Sequence, residues 1–260
     1  AARLGNLDLV MNWPDSLRLS ESQLQPVIQI YEKILKEMPD SQYNTEAAYR
    51  LGRLYFDIAI DARISGEYFA RARDYFDIVA DREGDPLQYY GLFQRGWTNF
   101  ASAQFFAAIE DFSLILNILE TEEQFEKRTF FEADAIENIA FSLIEYDGTD
   151  FVNYSQAAAL AQKILHSYVS DNYGQRILLE AVELKKIYNA PMQAIDLYQS
   201  YLSLYADSKI SPLVVDSIIV LYRQYPKHVR SNNTAEELII EQLQFLVSNY
   251  NSNSSWYEKN

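Results

Sequence analysis

Apolar side chains recur every three or four positions along most of this 260-residue chain, and nowhere do they alternate at period two for long. The pattern predicts helices and no strand. Val27, Ile30, Tyr31, Ile34 and Leu35 mark a helix that starts at Ser20, with Gln23 completing a capping box, and stops at Pro39-Asp40-Ser41. Ala47, Ala48, Leu51, Tyr55 and Ile58 give a second helix over 44–64, with Gly52 as a point of close approach and Ser65-Gly66 as the turn. Phe69, Ala72, Phe76 and Val79 give a third, which ends before Gly84-Asp85-Pro86. Residues 1–19 carry Leu4, Leu7, Val10 and Met11 before Trp13-Pro14 and predict only a poorly defined segment.

The stretch 85–116 reads as a helix pair, about 86–102 and 105–119, with small residues at Gly96 and Ala108 facing Leu92, Phe105, Phe112 and Ile115. Small against large lets two helices approach while the bulky side chains fill the gaps beside the contact. Further helices are predicted over 125–146, 153–168, 175–188, 191–206, 210–225 and 234–250. Asn172-Tyr173-Gly174 is expected to break the chain, Pro191 to start a helix, and Ser254-Ser255 to open another. The expectation is an all-α chain of consecutive antiparallel hairpins.

Composition narrows the function more than the fold. A net charge of −15, from 22 Lys and Arg against 37 Asp and Glu, leaves no basic stripe for nucleic acid or an anionic membrane surface. The acidity serves solubility or selects a basic partner. No cysteine is present, which removes disulfides, thiol catalysis and Cys-based zinc sites. No apolar run approaches a membrane span. Neither Ala1-Ala2-Arg3 nor Trp256-Tyr257-Glu258-Lys259-Asn260 marks a clear boundary, so a fragment of a longer protein is expected.

Second helices carry one spacing, x, x+4, x+7, at Val27/Tyr31/Ile34, Ala72/Phe76/Val79, Ala108/Phe112/Ile115, Ala157/Ala161/Ile164, Ala194/Tyr198/Tyr201 and Ile239/Leu243/Leu246. The sets recur at intervals of 36–49 residues. With Leu51-Gly52 and Tyr55 in a first helix, Gly96, Ala108 and Phe112 in the central pair, Ala194 and Tyr198 later, and closing Pro39 and Pro86, the chain resembles the tetratricopeptide repeat (TPR) family. Arg95, Asn99 and Val182 depart from that family's Leu, Tyr and Gly. Tyr31-Glu-Lys-Ile-Leu-Lys-Glu-Met-Pro-Asp-Ser-Gln-Tyr43 is similar to a phrase of bacterial cell-envelope TPR proteins of the outer-membrane-assembly and Tol–Pal-associated types, and Tyr198–Ser208 repeats it with Ala206 for Pro. The resemblance covers about residues 24–257 and implies a right-handed superhelical solenoid of about five to six hairpins over 20–257.

The residues offer little chemistry. His166 and His228 stand apart with no metal-ligand spacing, and no phosphate loop or nucleophile elbow occurs. Glu110-Asp111, Glu132/Asp134/Glu137 and Glu236-Glu237 are carboxylate groupings that solvated helix faces explain. Asp147-Gly148-Thr149-Asp150 lacks the remaining ligands of a calcium loop. No catalytic residue, metal or cofactor is expected. The resemblance instead implies partner-binding positions on the concave face: Tyr49, Arg53 and Phe56; Tyr90, Phe93 and Trp97; Glu137 and Phe141; then Leu179, Glu183 and Lys186. Tyr, Trp and Arg are the residue types that dominate binding hot spots.

The expected function is a non-enzymatic scaffold that holds a peptide or another protein, in the periplasm or cell envelope, with the cytoplasm as the alternative. Two rivals stay open. Exposed Tyr and Trp could stack on sugars in a glycan-binding module. Paired carboxylates in a deep pocket would make an α-helical carbohydrate-active enzyme.

Overall fold

The structure is a computed structural model, and it describes residues 21–39, 41, 43–61, 66–121, 128–146, 164–229 and 233–260. Among them every regular element is helical. The N-terminal segment, Ser20, the Asp147–Asp150 turn and most of the helix expected over 153–168 lie outside the described residues, although 164–168 are helical. The chain forms two compact units, Ala1–Gly91 and Leu92–Asn260.

The first unit holds α1 (Glu21–Glu37), α2 (Asn44–Asp61), α3 (Gly66–Ala80) and the start of α4 (Gln88–Ala101). α2 packs against both α1 and α3. Gly52 lets α2 meet α3, since a Cβ there would sit 2.6 Å from the Phe76 ring. α1 buries Leu24 and Ile28 and leaves Val27 and Ile30 exposed, so its inner face is turned from the one the sequence suggested. Two apolar stripes of helical spacing coexist on α1, and periodicity alone does not choose between them.

The second unit continues with the rest of α4, α5 (Phe105–Thr121), α6 (Arg128–Tyr146), α7 (Asp171–Ile187), α8 (Pro191–Leu204), α9 (Ser211–Gln224), α10 (Ala235–Asn249) and α11 (Ser255–Lys259). Neighbours in sequence pack as neighbours in space: α5 on α6, α7 on α8, α8 on α9 and α9 on α10, while α6 also packs on α7. Gly96 faces fully buried Phe112, whose ring would lie 2.9 Å from an added Cβ. The small-against-large reading of 85–116 describes this contact.

α7 begins at Asp171, so Asn172-Tyr173-Gly174 opens a helix rather than breaking one. Tyr173 is buried, and Gly174 admits the Tyr205 hydroxyl, which would lie 2.0 Å from a Cβ. Helix α10 starts at Thr234, whose side chain accepts from the Glu237 amide while the Glu237 carboxylate accepts from the Thr234 amide.

The connections repeat one another. Three of them step through successive three-residue turns: Ser41 N–H to Met38 C=O and Asn44 N–H to Ser41 C=O; Asp85 to Arg82 and Gln88 to Asp85; Ser208 to Tyr205 and Ser211 to Ser208. Two tight hairpin turns share another device. Ala103 and Asn189 take left-handed φ of 59° and 55°. The next amide in each case, Gln104 or Ala190, bonds back to the carbonyl of Asn99 or Lys185. This is the Schellman closure of a helix.

Candidate interaction surface

In the second unit, three helices bury one side and keep one stripe open. On α6 the stripe is Phe130, Asp134, Glu137 and Phe141, opposite buried Ala135, Ile139 and Leu143. On α7 it is Arg176, Glu180, Glu183 and Ile187, opposite buried Leu178, Ala181 and Val182. On α9 it is Leu213, Ser217, Val220 and Gln224, opposite buried Val215, Ile218 and Tyr222. The spacing is 4, 3, 4 each time, which places four side chains on one face of a helix. Every member is half-buried or exposed. Ile187 and Leu213 are 60% and 66% exposed, unusual for aliphatics on otherwise well-packed helices.

Side-chain contacts tie the stripes to the core. Phe130 meets buried Phe93 at 6.3 Å, and Phe141 meets Phe100 at 6.4 Å. Glu132 of α6 pairs with Arg176 of α7. Asp134 is half-buried, and burial together with the neighbouring Glu137 charge pushes its carboxyl up to about 6. Glu183 and Lys186 are exposed and form an ion pair of 2.7 Å. The hydrogen bond that Lys186 donates to the Glu183 carboxylate raises the Lys186 pKa.

The positions expected from the sequence divide. Phe56 and Phe93 are core residues at 2% and 3% exposure and present nothing to a partner. Phe56 packs on Phe69, and Phe93 meets the edges of Phe112 and Phe131, because large rings beside small helix contacts are drawn inward. Trp97 is half-buried, with Phe93, Phe100 and Phe112 around its ring. Glu137 and Phe141 lie on the α6 stripe, and Glu183 lies on that of α7. Leu179 and Lys186 sit beside the α7 stripe rather than on it. Within the first unit, Tyr49, Arg53 and Tyr90 are half-buried, and Tyr49 meets Tyr90 edge-on at 6.4 Å. The sequence had not singled out Phe130, Arg176, Ile187, Leu213 or Val220, and had shown Asp134 only as one of a carboxylate group. The signal for them was the 4-3-4 spacing on the polar side of each first helix.

Several of the grouped carboxylates are engaged structurally. Asp111 is buried and accepts from Arg95 at 2.6 Å and from Asn99 at 2.8 Å. These are two of the residues that depart from the TPR pattern, and together they hold one buried carboxylate. Glu110 accepts from the Tyr168 hydroxyl, and Glu237 belongs to the α10 cap. His166 and His228 are exposed. Among the described residues no three His, Asp or Glu side chains gather as a metal site, and no helix is long and apolar enough to cross a membrane. The arrangement can hold a polypeptide by apolar contact, ring stacking and charge. No protein-family model and no curated protein matches this chain.

Proposed function

We propose that the chain is a TPR-like repeat scaffold that binds another protein through the open stripes of α6, α7 and α9. The observation that carries this reading is the exposure of Ile187, Leu213, Val220 and Phe130 on helices whose opposite faces are fully packed. Apolar side chains rimmed by carboxylates and a guanidinium are the composition of a protein-binding patch. A preformed helical surface loses little freedom when a partner docks. The recurrent turns and the Gly52–Phe76 and Gly96–Phe112 contacts support the repeat assignment. A site in a bacterial envelope assembly rests on the resemblance of Tyr31–Tyr43 and Tyr198–Ser208 to envelope TPR sequences, and a right-handed superhelix rests on the TPR resemblance over about residues 24–257.

The test is capture of the native partner by crosslinking, with wild type compared with the variant Ile187→Ser/Leu213→Ser/Val220→Ser. Loss of the captured protein at unchanged helicity is expected. Equal recovery by the variant contradicts the assignment of these stripes.

A further inference from the structure

We propose that the uncovered face of α10 docks an amphipathic helix of a partner protein that carries lysine or arginine beside its apolar stripe. The repeat itself draws attention to this face. The x, x+4, x+7 set is fully buried on α3 (Ala72/Phe76/Val79) and on α5 (Ala108/Phe112/Ile115), and buried on α8 (Ala194/Tyr198/Tyr201). On α10 the same set, Ile239/Leu243/Leu246, stays open or half-open, and Ala235 is the sole buried residue of the helix.

Leu243 of that set and its neighbours Ile240 and Val247 are 43%, 53% and 64% exposed. Their spacing of three then four is the seam that one helix offers to another. The seam runs along a helix of 15 residues, about 22 Å long, enough to receive a short helix.

Charge selects the occupant. The charged residues of α10 are Glu236, Glu237 and Glu241, and it has no Lys or Arg. Glu236 continues the line of the seam at its N-terminal end, Glu237 flanks it there while capping the helix, and Glu241 stands one turn on, on the polar side of the helix. A second copy of this chain would bring the same three acids and a further net charge of −15 onto the face. A helix with basic flanks neutralises them, as flanking charges do in paired helices. The face shares no residue with the stripes of α6, α7 and α9, so this inference stands apart from the function proposed above.

The full chain is titrated with two labelled, monomeric peptides of about three heptads each, both with Leu along the seam, one flanked by Lys and the other by Glu. Binding of the Lys peptide is expected, weakened about tenfold or more for the Glu peptide and for the variant Ile240→Ser/Leu243→Ser. The variant Glu236→Lys/Glu241→Lys leaves the seam intact and is expected to reverse the preference. Failure to bind the Lys peptide, equal binding of both peptides, or binding that survives Ile240→Ser/Leu243→Ser overturns the proposal. So does a wild-type dimer that this variant dissolves, since the occupant is then a second copy. Capture through α6, α7 and α9 is expected to be unchanged in both variants, which separates failure here from failure there.

Discussion

Asp111 and Asp134 are carboxylates in two different situations. Asp111 is buried but held by Arg95 and Asn99, so its charge is compensated. Asp134 is half-buried beside Glu137, and its carboxyl rises from 3.8 to about 6. A carboxyl raised in the folded protein binds its proton more tightly than in the unfolded chain. Stability is therefore lost as pH rises from the ordinary value through about 6 and is regained on acidification. Asp134→Asn removes this titration. The variant is expected to melt above wild type at pH 7, with the gap closing as pH falls to about 4, read from Tm against pH. Neither situation was legible in the sequence. Arg95 and Asn99 stood out as departures from a pattern, but Asp111 lies 16 and 12 residues further on, beyond the reach of any local rule. Asp134 was visible as one of a carboxylate group, and its desolvation belongs to packing.

At the scale of elements, hydrophobic spacing located the helices well and misjudged some of their ends and faces. Gly174 is the instructive failure. A glycine after Asn-Tyr reads as a break, yet it sits in the first turn of α7 because Tyr205, at the end of the partner helix α8, needs the space. Gly52 and Gly96 play the same part against Phe76 and Phe112, and there the apolar neighbours gave the role away. Gly174→Ala is expected to lower stability by about 1–3 kcal/mol through overpacking, less any helix-propensity gain. Tyr205→Phe in the same chain removes the clashing oxygen and is expected to restore much of the loss, as denaturant unfolding of the single and double variants would measure. Without that recovery, the contact with the Tyr205 hydroxyl is not what reserves the position for glycine.

For the whole molecule, an all-helical chain of successive hairpins follows from spacing, from the low glycine and proline content and from the repeated sets. Side-chain exposure was much less legible. The aromatic residues expected to face a partner include Phe56 and Phe93, which the core takes because a large ring beside a close helix contact has nowhere else to go. Ile187, Leu213 and Val220, which the sequence did not single out, remain exposed. Those open stripes are the proposed binding surface. Hydroxyl-radical footprinting of the chain, alone and crosslinked to its captured partner, tests it most directly. Protection is expected at Phe130, Phe141, Ile187, Leu213 and Val220, with second-helix residues such as Ile78 and Leu114 unchanged. Protection of Ile78 and Leu114 with the stripes left fully reactive would contradict the account.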